Sequence, residues 1–259
     1  MENCLQNIDN LIKEGKFQEA FELCNKELQR VDANEPDSLQ TSKYIAALYY
    51  AMSKCVEPKV ALQCMDLAIH FVGNNSDYYL QRGQIKQALE DYQGALEDYS
   101  IIIEHEPRFE AFGFRGGIYL NAGNLEEALN DYNKALEMNP NYGGGYVGRG
   151  RIKYAKNDLE GAIKDFDIAI KLYPDYPVTY GFRGNAKADL NDFEGALADF
   201  RKVLELNPED IGAKKAFLNL KIHLAAEGSI STITFTKKDG TQVQQFMTDE
   251  GIIELPLEK

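Results

Sequence analysis

Along residues 124–140, NLEEALNDYNKALEMNP, the apolar side chains Leu125, Ala128, Leu129, Tyr132, Ala135 and Leu136 recur at i, i+3, i+4 and i+7. That spacing gathers them on one stripe of an α-helix and leaves acids and amides on the other faces. The stripe returns: Ala95, Ala128, Ala162 and Ala196 are each followed four residues later by an aromatic, Tyr99, Tyr132, Phe166 and Phe200. Eight residues beyond each aromatic stands a proline, Pro107, Pro140, Pro174 or Pro208, which cannot continue a helix. Asp91, Asn124, Asp158 and Asp192 precede the stripes, and such side chains accept hydrogen bonds from the free N–H groups of a first turn. Each copy reads as two helices joined by a tight turn. After residue 228 the period changes to two: ITFTKKDGTQVQQF alternates around Asp239-Gly240, which predicts a β-hairpin over 229–247. IIEL at 252–255 gives a third candidate strand.

A glycine after an arginine holds the same phase, at Gly83, Gly116, Gly150 and Gly184, with spacings of 33, 34 and 34. Two earlier stretches share part of the pattern: Ala61 with Met65 and Ala68, and Gly15 with Phe17 and Ala20. Tyr49 and Ile8 stand there at the glycine's place. The expected organisation is two divergent helix pairs over 1–75, four regular ones over 76–208, a capping helix over 209–228 and a β-hairpin extension over 229–259. Ala213, Phe217, Leu220 and Leu224 give the capping helix its apolar period. A single pair cannot bury its own apolar face, so neighbours must stack.

This pattern resembles the tetratricopeptide repeat, strongly over 76–208 and more weakly before it. The resemblance implies an all-α superhelical solenoid of antiparallel helix pairs with a right-handed curve. It also implies close approach of paired helices through Gly83/Ala95, Gly116/Ala128, Gly150/Ala162 and Gly184/Ala196. The function it implies is a non-catalytic scaffold that binds a protein or peptide along the inner groove.

Sixteen residues after Arg82, Arg115, Arg149 and Arg183 come Asp98, Asp131, Asp165 and Asp199. A ligand contact has no reason to track its own carboxylate four times. An ion pair between helices does, because the guanidinium fork matches a carboxylate and its stem can lie across apolar neighbours. The face that lines the groove in related superhelices carries Asp77, Leu80, Gln81 and Gln84, then Gly113, Phe114 and Gly117. It continues with Gly144, Val147, Gly148 and Arg151, then Gly181, Phe182 and Asn185. Glycine inside a helix costs about 0.5–1 kcal/mol relative to alanine. Its recurrence on one face predicts either a smooth floor for a partner's backbone, with Leu80, Phe114, Val147 and Phe182 as apolar projections, or close packing of helices at that face. Some family members grip a chaperone's terminal carboxylate with Lys and Asn on this face. Here those places hold Asp77, Leu80, Gln81, Glu110, Gly113 and Phe114, so that clamp is not expected.

Composition narrows the function further. A net charge of −13 in 259 residues argues against a nucleic-acid binder, which needs clustered cations. Residues 76–142 carry 12 acids and 5 bases, residues 143–208 ten of each, which favours a basic or dipolar partner or else marks a solvated surface. No apolar run approaches the roughly 18–20 residues of a membrane span, and MENCLQNIDNLIKEGK lacks a signal-peptide pattern. The expected location is cytoplasmic. Cys4, Cys24, Cys55 and Cys64 fit reduced structural thiols, and His70, His105 and His223 are solitary, so neither metal nor cofactor is expected. No catalytic constellation is found: NYGGGYVGRGR (141–151) mimics a dinucleotide fingerprint but follows no strand. The alternative to a binding scaffold is a structural protein that forms a homodimer through its C-terminal β segment.

Overall fold

The computed structural model describes residues 1–32, 38–226, 232–236, 242–248 and 251–256. Asp239-Gly240 and Gly228 lie outside them. Among the described residues there are thirteen helices: α1 (Glu2–Lys13), α2 (Phe17–Asp32), α3 (Leu39–Ser53), α4 (Pro58–Val72), α5 (Ser76–Ala88), α6 (Tyr92–His105), α7 (Phe109–Asn121), α8 (Leu125–Met138), α9 (Gly143–Ala155), α10 (Leu159–Leu172), α11 (Pro177–Asp189), α12 (Phe193–Leu206) and α13 (Ile211–Ala226). Strands β1 (Thr232–Thr236), β2 (Gln242–Thr248) and β3 (Gly251–Pro256) form an antiparallel sheet in the order β1-β2-β3. The fold class is an all-α array of helix pairs.

The turn inside each regular pair is built the same way. One residue turns left-handed immediately before the cap: Glu90 (φ 64°), Gly123 (φ 81°), Asn157 (φ 62°) and Asn191 (φ 62°). The next side chain then caps the second helix in three pairs. Asp91, Asp158 and Asp192 accept from the N–H groups of Gly94, Gly161 and Gly195 at 2.9, 3.0 and 3.0 Å. Asn124 makes no such bond, contrary to the sequence expectation. Three residues after each capping aspartate, a Cβ on Gly94, Gly161 or Gly195 would overlap the carboxylate as it is placed. The residue there in α8 is Glu127.

The chain divides into two compact units, Met1–Pro140 and Asn141–Lys259. In the first, Ile8, Ala20, Cys24, Tyr44, Leu48 and Met52 pack together beneath α1–α4. Ala61, Met65 and Ala68 meet Tyr78 and Ile85, and Ala95, Tyr99 and Ile102 meet Ala111 and Ile118. In the second, Ala162, Phe166 and Ala186 form one cluster, and Tyr180, Ala196, Phe200, Val203 and Ala213 form another that joins α13 to the last pair. Ala95, Ala128, Ala162 and Ala196 are wholly buried, and so are Ala20 and, nearly, Ala61 in the divergent pairs.

The glycine after the arginine faces something other than expected in three pairs. A Cβ on Gly83 or Gly150 would come 2.6 Å from the ring of Tyr99 or Phe166, and one on Gly184 would come 3.1 Å from Phe200. A Cβ on Gly116 would meet the Asp131 Cβ at 3.3 Å and the carbonyl of its paired alanine, Ala128, at 3.4 Å. The close approach is therefore mostly glycine against an aromatic ring, because the ring four residues after the alanine reaches across to the first helix.

Candidate functional site

Each repeated arginine sits on a first helix, half-buried, and forks onto the aspartate of the following helix. Arg82 donates from Nε and Nη2 to Asp98 at 3.0 and 2.7 Å, and Arg115 to Asp131 at 2.8 and 2.8 Å. Arg149 donates to Asp165 at 2.9 and 2.8 Å, and Arg183 to Asp199 at 2.9 and 2.5 Å. The four aspartates are at most 4% exposed. Paired, fork-to-fork donors are what makes such burial tolerable.

Two features of this network escaped the sequence reading. Arg82 and Arg183 also donate from Nη1 to Asp66 and Asp167, on the second helix of the preceding pair, at 2.8 and 2.5 Å. Arg115 reaches Ser100 instead, at 3.1 Å. The signal was present, since Asp66 and Asp167 stand 16 residues before their arginines as Asp98 and Asp199 stand 16 after. Secondly, Lys86, Lys153 and Lys187 bring a second cation to Asp98, Asp165 and Asp199 at 3.0, 2.8 and 2.8 Å. At the equivalent place in α7 stands Tyr119, under the Arg115 guanidinium. Burial acts against the Arg183 charge, but hydrogen bonds and charges from Asp199 and Asp167 outweigh it and hold the pKa above its ordinary value. Arg115 is raised chiefly by its hydrogen bonds to Asp131, against burial.

The predicted groove residues fall in both units. In the first, Asp77 accepts from Arg108 at 2.5 Å, while Gln81 and Gln84 are half-buried. Leu80 and Phe114 pack onto the Tyr99 cluster, with the Phe114 and Tyr99 rings stacked at 5.7 Å. Gly117 is half-buried, its open side 3.5 Å from the Tyr132 hydroxyl, and Gly113 is buried. In the second unit Gly144 and Asn185 are exposed, Val147, Arg151, Gly181 and Phe182 half-buried, and Gly148 buried. Phe182 stacks on Phe166 at 5.9 Å, and the Arg151 guanidinium lies over the Phe182 ring at 5.2 Å.

Two expectations need correction here. Gly113 and Gly148 are buried rather than an open floor. Phe114 and Phe182 are not free projections either: each leans on the aromatic of the preceding second helix. A cleft of about 290 Å³ opens in the second unit. Gly181, Phe182 and Asn185 line it together with Val178, Val203 and Ala216. The last three could not be read as a wall from the sequence, because α12 and α13 supply two of them from later in the chain.

The thiols of Cys4, Cys24, Cys55 and Cys64 are free. Burial pushes Cys24 up to about 12 and raises Cys55 and Cys64. His70 and His223 lie edge-on to Phe71 and Phe193. Among the described residues no group of three His, Cys, Asp or Glu side chains is placed to hold a metal ion, and no helix is long and apolar enough to cross a membrane.

Helix pairs in 34-residue phase, with an ion-paired arginine in each regular copy, define an α-helical repeat protein. The sequence model of the tetratricopeptide repeat matches residues 109–142, and a second model of the same repeat matches 178–210. The chain thus carries tetratricopeptide repeats at 109–142 and 178–210. Among solved structures it is similar to a tetratricopeptide repeat protein from Parabacteroides merdae, at 19% identity over 88% of each chain with a TM-score of 0.65. The C-terminal part of a repeat protein from Cytophaga hutchinsonii is similar at 20% identity, over 87% of this chain and 88% of that one, with a TM-score of 0.60. MamA from Desulfovibrio magneticus matches at 23% identity, over 64% of this chain and 97% of its own, with a TM-score of 0.56. At these identities the likeness is one of fold. No curated protein matches the sequence.

Proposed function

We propose that this repeat scaffold binds an extended or helical segment of another protein along the face of its first helices, without catalysis. The observation that carries the reading is the cleft of about 290 Å³ beside Gly181, Phe182 and Asn185, three residues singled out on that face by sequence. Its walls are aliphatic and aromatic, and the Asn185 amide is exposed at the same place. Such a mixture suits an anchoring apolar side chain with a polar group to set its register. In the first unit Leu80, Gln81, Gln84 and Gly117 provide the corresponding face.

Glycine-to-glutamate changes test it. A Cβ on Gly117 would sit 3.5 Å from the Tyr132 hydroxyl, and one on Gly181 would sit 3.9 Å from Val203. Both are ordinary contacts, so Gly117→Glu and Gly181→Glu should fold normally while obstructing the face. Cross-linked pull-downs from native cells should lose partners with one or both variants. Retention of every partner by both would sink the reading.

Self-association through the C-terminal strands is a second reading. It is favoured by the sheet order, which leaves β1 and β3 as edges able to pair with another copy. Light scattering of the full chain against a chain ending at Glu227 decides it, and identical monomeric masses would remove it.

A further inference from the structure

We propose that the first unit holds a separate site, a pocket between α5 and α6 that takes an aliphatic ammonium group. It shares no residue with the binding face above and stands or falls independently of that reading.

The pocket has a volume of about 340 Å³. That is the small end of the range for ligand clefts, suited to one side-chain-sized group. Ile101 and Ile102 supply an apolar wall, and Asn74, Ser76, His105 and Glu106 bring polar atoms to it. Ser76 opens α5 and donates from Oγ to Glu106 Oε2 at 2.6 Å. That bond holds the carboxylate in place and leaves Oε1 to accept from a ligand. Among the described residues Glu106 meets no cation.

The other regular pairs show that this polarity is added to a common framework. At the place of His105 they carry Met138, Leu172 and Leu206, and at that of Glu106 they carry Asn139, Tyr173 and Asn207. Phe109, Gly143 and Pro177 stand where α5 has Ser76. In α9/α10 the Tyr173 ring lies against Gly143 so closely that a Cβ there would overlap it. The corresponding space beside α5 is open, and its rim carries a carboxylate anchored by a hydroxyl.

Electrostatics select a cation. The charged groups of α5 are all paired: Asp77 with Arg108, Arg82 with Asp66 and Asp98, and Lys86 with Asp98. Asn75 Oδ1 accepts from the N–H groups of Asp77 and Tyr78 at 3.0 and 3.2 Å, so an oxygen already answers the positive end of α5. α6 brings its C-terminal, negative end to the pocket. Acids outnumber bases by 12 to 5 over 76–142. An ammonium offers three donors and no acceptor. It can meet Glu106, the Asn74 amide oxygen and the neutral His105 ring while its stem lies along the two isoleucines. A free aliphatic diamine and a partner's lysine side chain present this same group.

Calorimetric titration of the full chain separates those sources. The probes are cadaverine and a doubly capped lysine, with pentanol and pentanoate as neutral and anionic controls. Binding of cadaverine alone assigns the site to free amines, and binding of the capped lysine as well assigns it to a protein side chain. Glu106→Gln should weaken binding by about tenfold or more, the scale of a charge-assisted hydrogen bond. Its thermal midpoint should not change, because Glu106 is exposed. Ser76→Ala frees the carboxylate and should weaken binding less. Glu104 is an exposed acid of the same helix outside the pocket, so Glu104→Gln should leave affinity unchanged. Failure of both amines to bind would overturn the site. So would equal binding of pentanoate, or equal weakening by Glu104→Gln and Glu106→Gln.

Discussion

The pairs α7/α8 and α11/α12 both carry the tetrapeptide GFRG, yet they balance its arginine differently. Arg183 forks onto Asp199, reaches back to Asp167, and shares Asp199 with Lys187. Arg115 forks onto Asp131 and reaches only the Ser100 hydroxyl, with Tyr119 where the lysine would be. The second pair thus has a further ion-paired group on each side of the central bridge, where the first has a serine hydroxyl and an aromatic ring. α8 also lacks the aspartate–glycine cap that starts α12. Identical short motifs fix the first-order contact, while residues 16 positions back and four positions on decide how much depends on it.

The largest expected difference follows from removing the arginine. Arg115→Met leaves Asp131 buried with no cation, which should cost about 3–5 kcal/mol. Arg183→Met leaves Asp199 with Lys187 at 2.8 Å, so its cost should be lower by about 1 kcal/mol or more, the worth of a charged hydrogen bond. Urea midpoints of the two variants give the comparison, and equal losses would show that the lysine does not compensate. Next in size is overpacking. Gly116→Leu and Gly184→Leu should each cost about 1–3 kcal/mol. Gly184 should be the worse, because both the Phe200 ring and the Asp199 Cβ lie within 3.3 Å of the added carbon. An unchanged thermal midpoint for either would show that its neighbours move aside. Smaller again is the cap: Asp192→Ala should cost about 1 kcal/mol, whereas Asn124→Ala should cost almost nothing, since Asn124 makes no capping bond. Equal effects would mean the caps are interchangeable.

Much of this architecture was legible because repetition wrote it several times. The four buried alanines, the turn positions and the 16-residue Arg–Asp interval could be read from phase alone. Contacts that depend on neighbouring copies were harder. The backward reach to Asp66 and Asp167 joins successive pairs, and the stacking of Phe114 on Tyr99 and Phe182 on Phe166 turned supposed projections into packing. Burial of Gly113 and Gly148 was hidden for the same reason: a glycine's presence does not say whether a ligand or a neighbouring helix approaches it. The cleft needed α13, whose small Ala213 and Ala216 are informative only once placed opposite α11.

The smallest effect tests the comparison most directly. Tyr119→Lys gives α7 the cation that α5, α9 and α11 already possess at the same phase. In those helices the lysine Nζ lies 2.8–3.0 Å from the shared aspartate while its side chain stays 15–29% exposed. A partly exposed ion pair is worth about 0.2–1 kcal/mol, and the lost Tyr119 contact with Arg115 offsets part of that. The wild-type background should therefore gain no more than about 0.5 kcal/mol, the low half of that range. In the Arg115→Met background the new lysine becomes the only cation available to Asp131, and the gain should rise to at least about 1 kcal/mol, as expected for coupled neighbours. Denaturant titrations of the four proteins in this cycle measure the coupling. A gain of the same size in both backgrounds would mean that lysine and arginine act on the carboxylate independently, and the contrast between the two pairs would then lie in something other than charge.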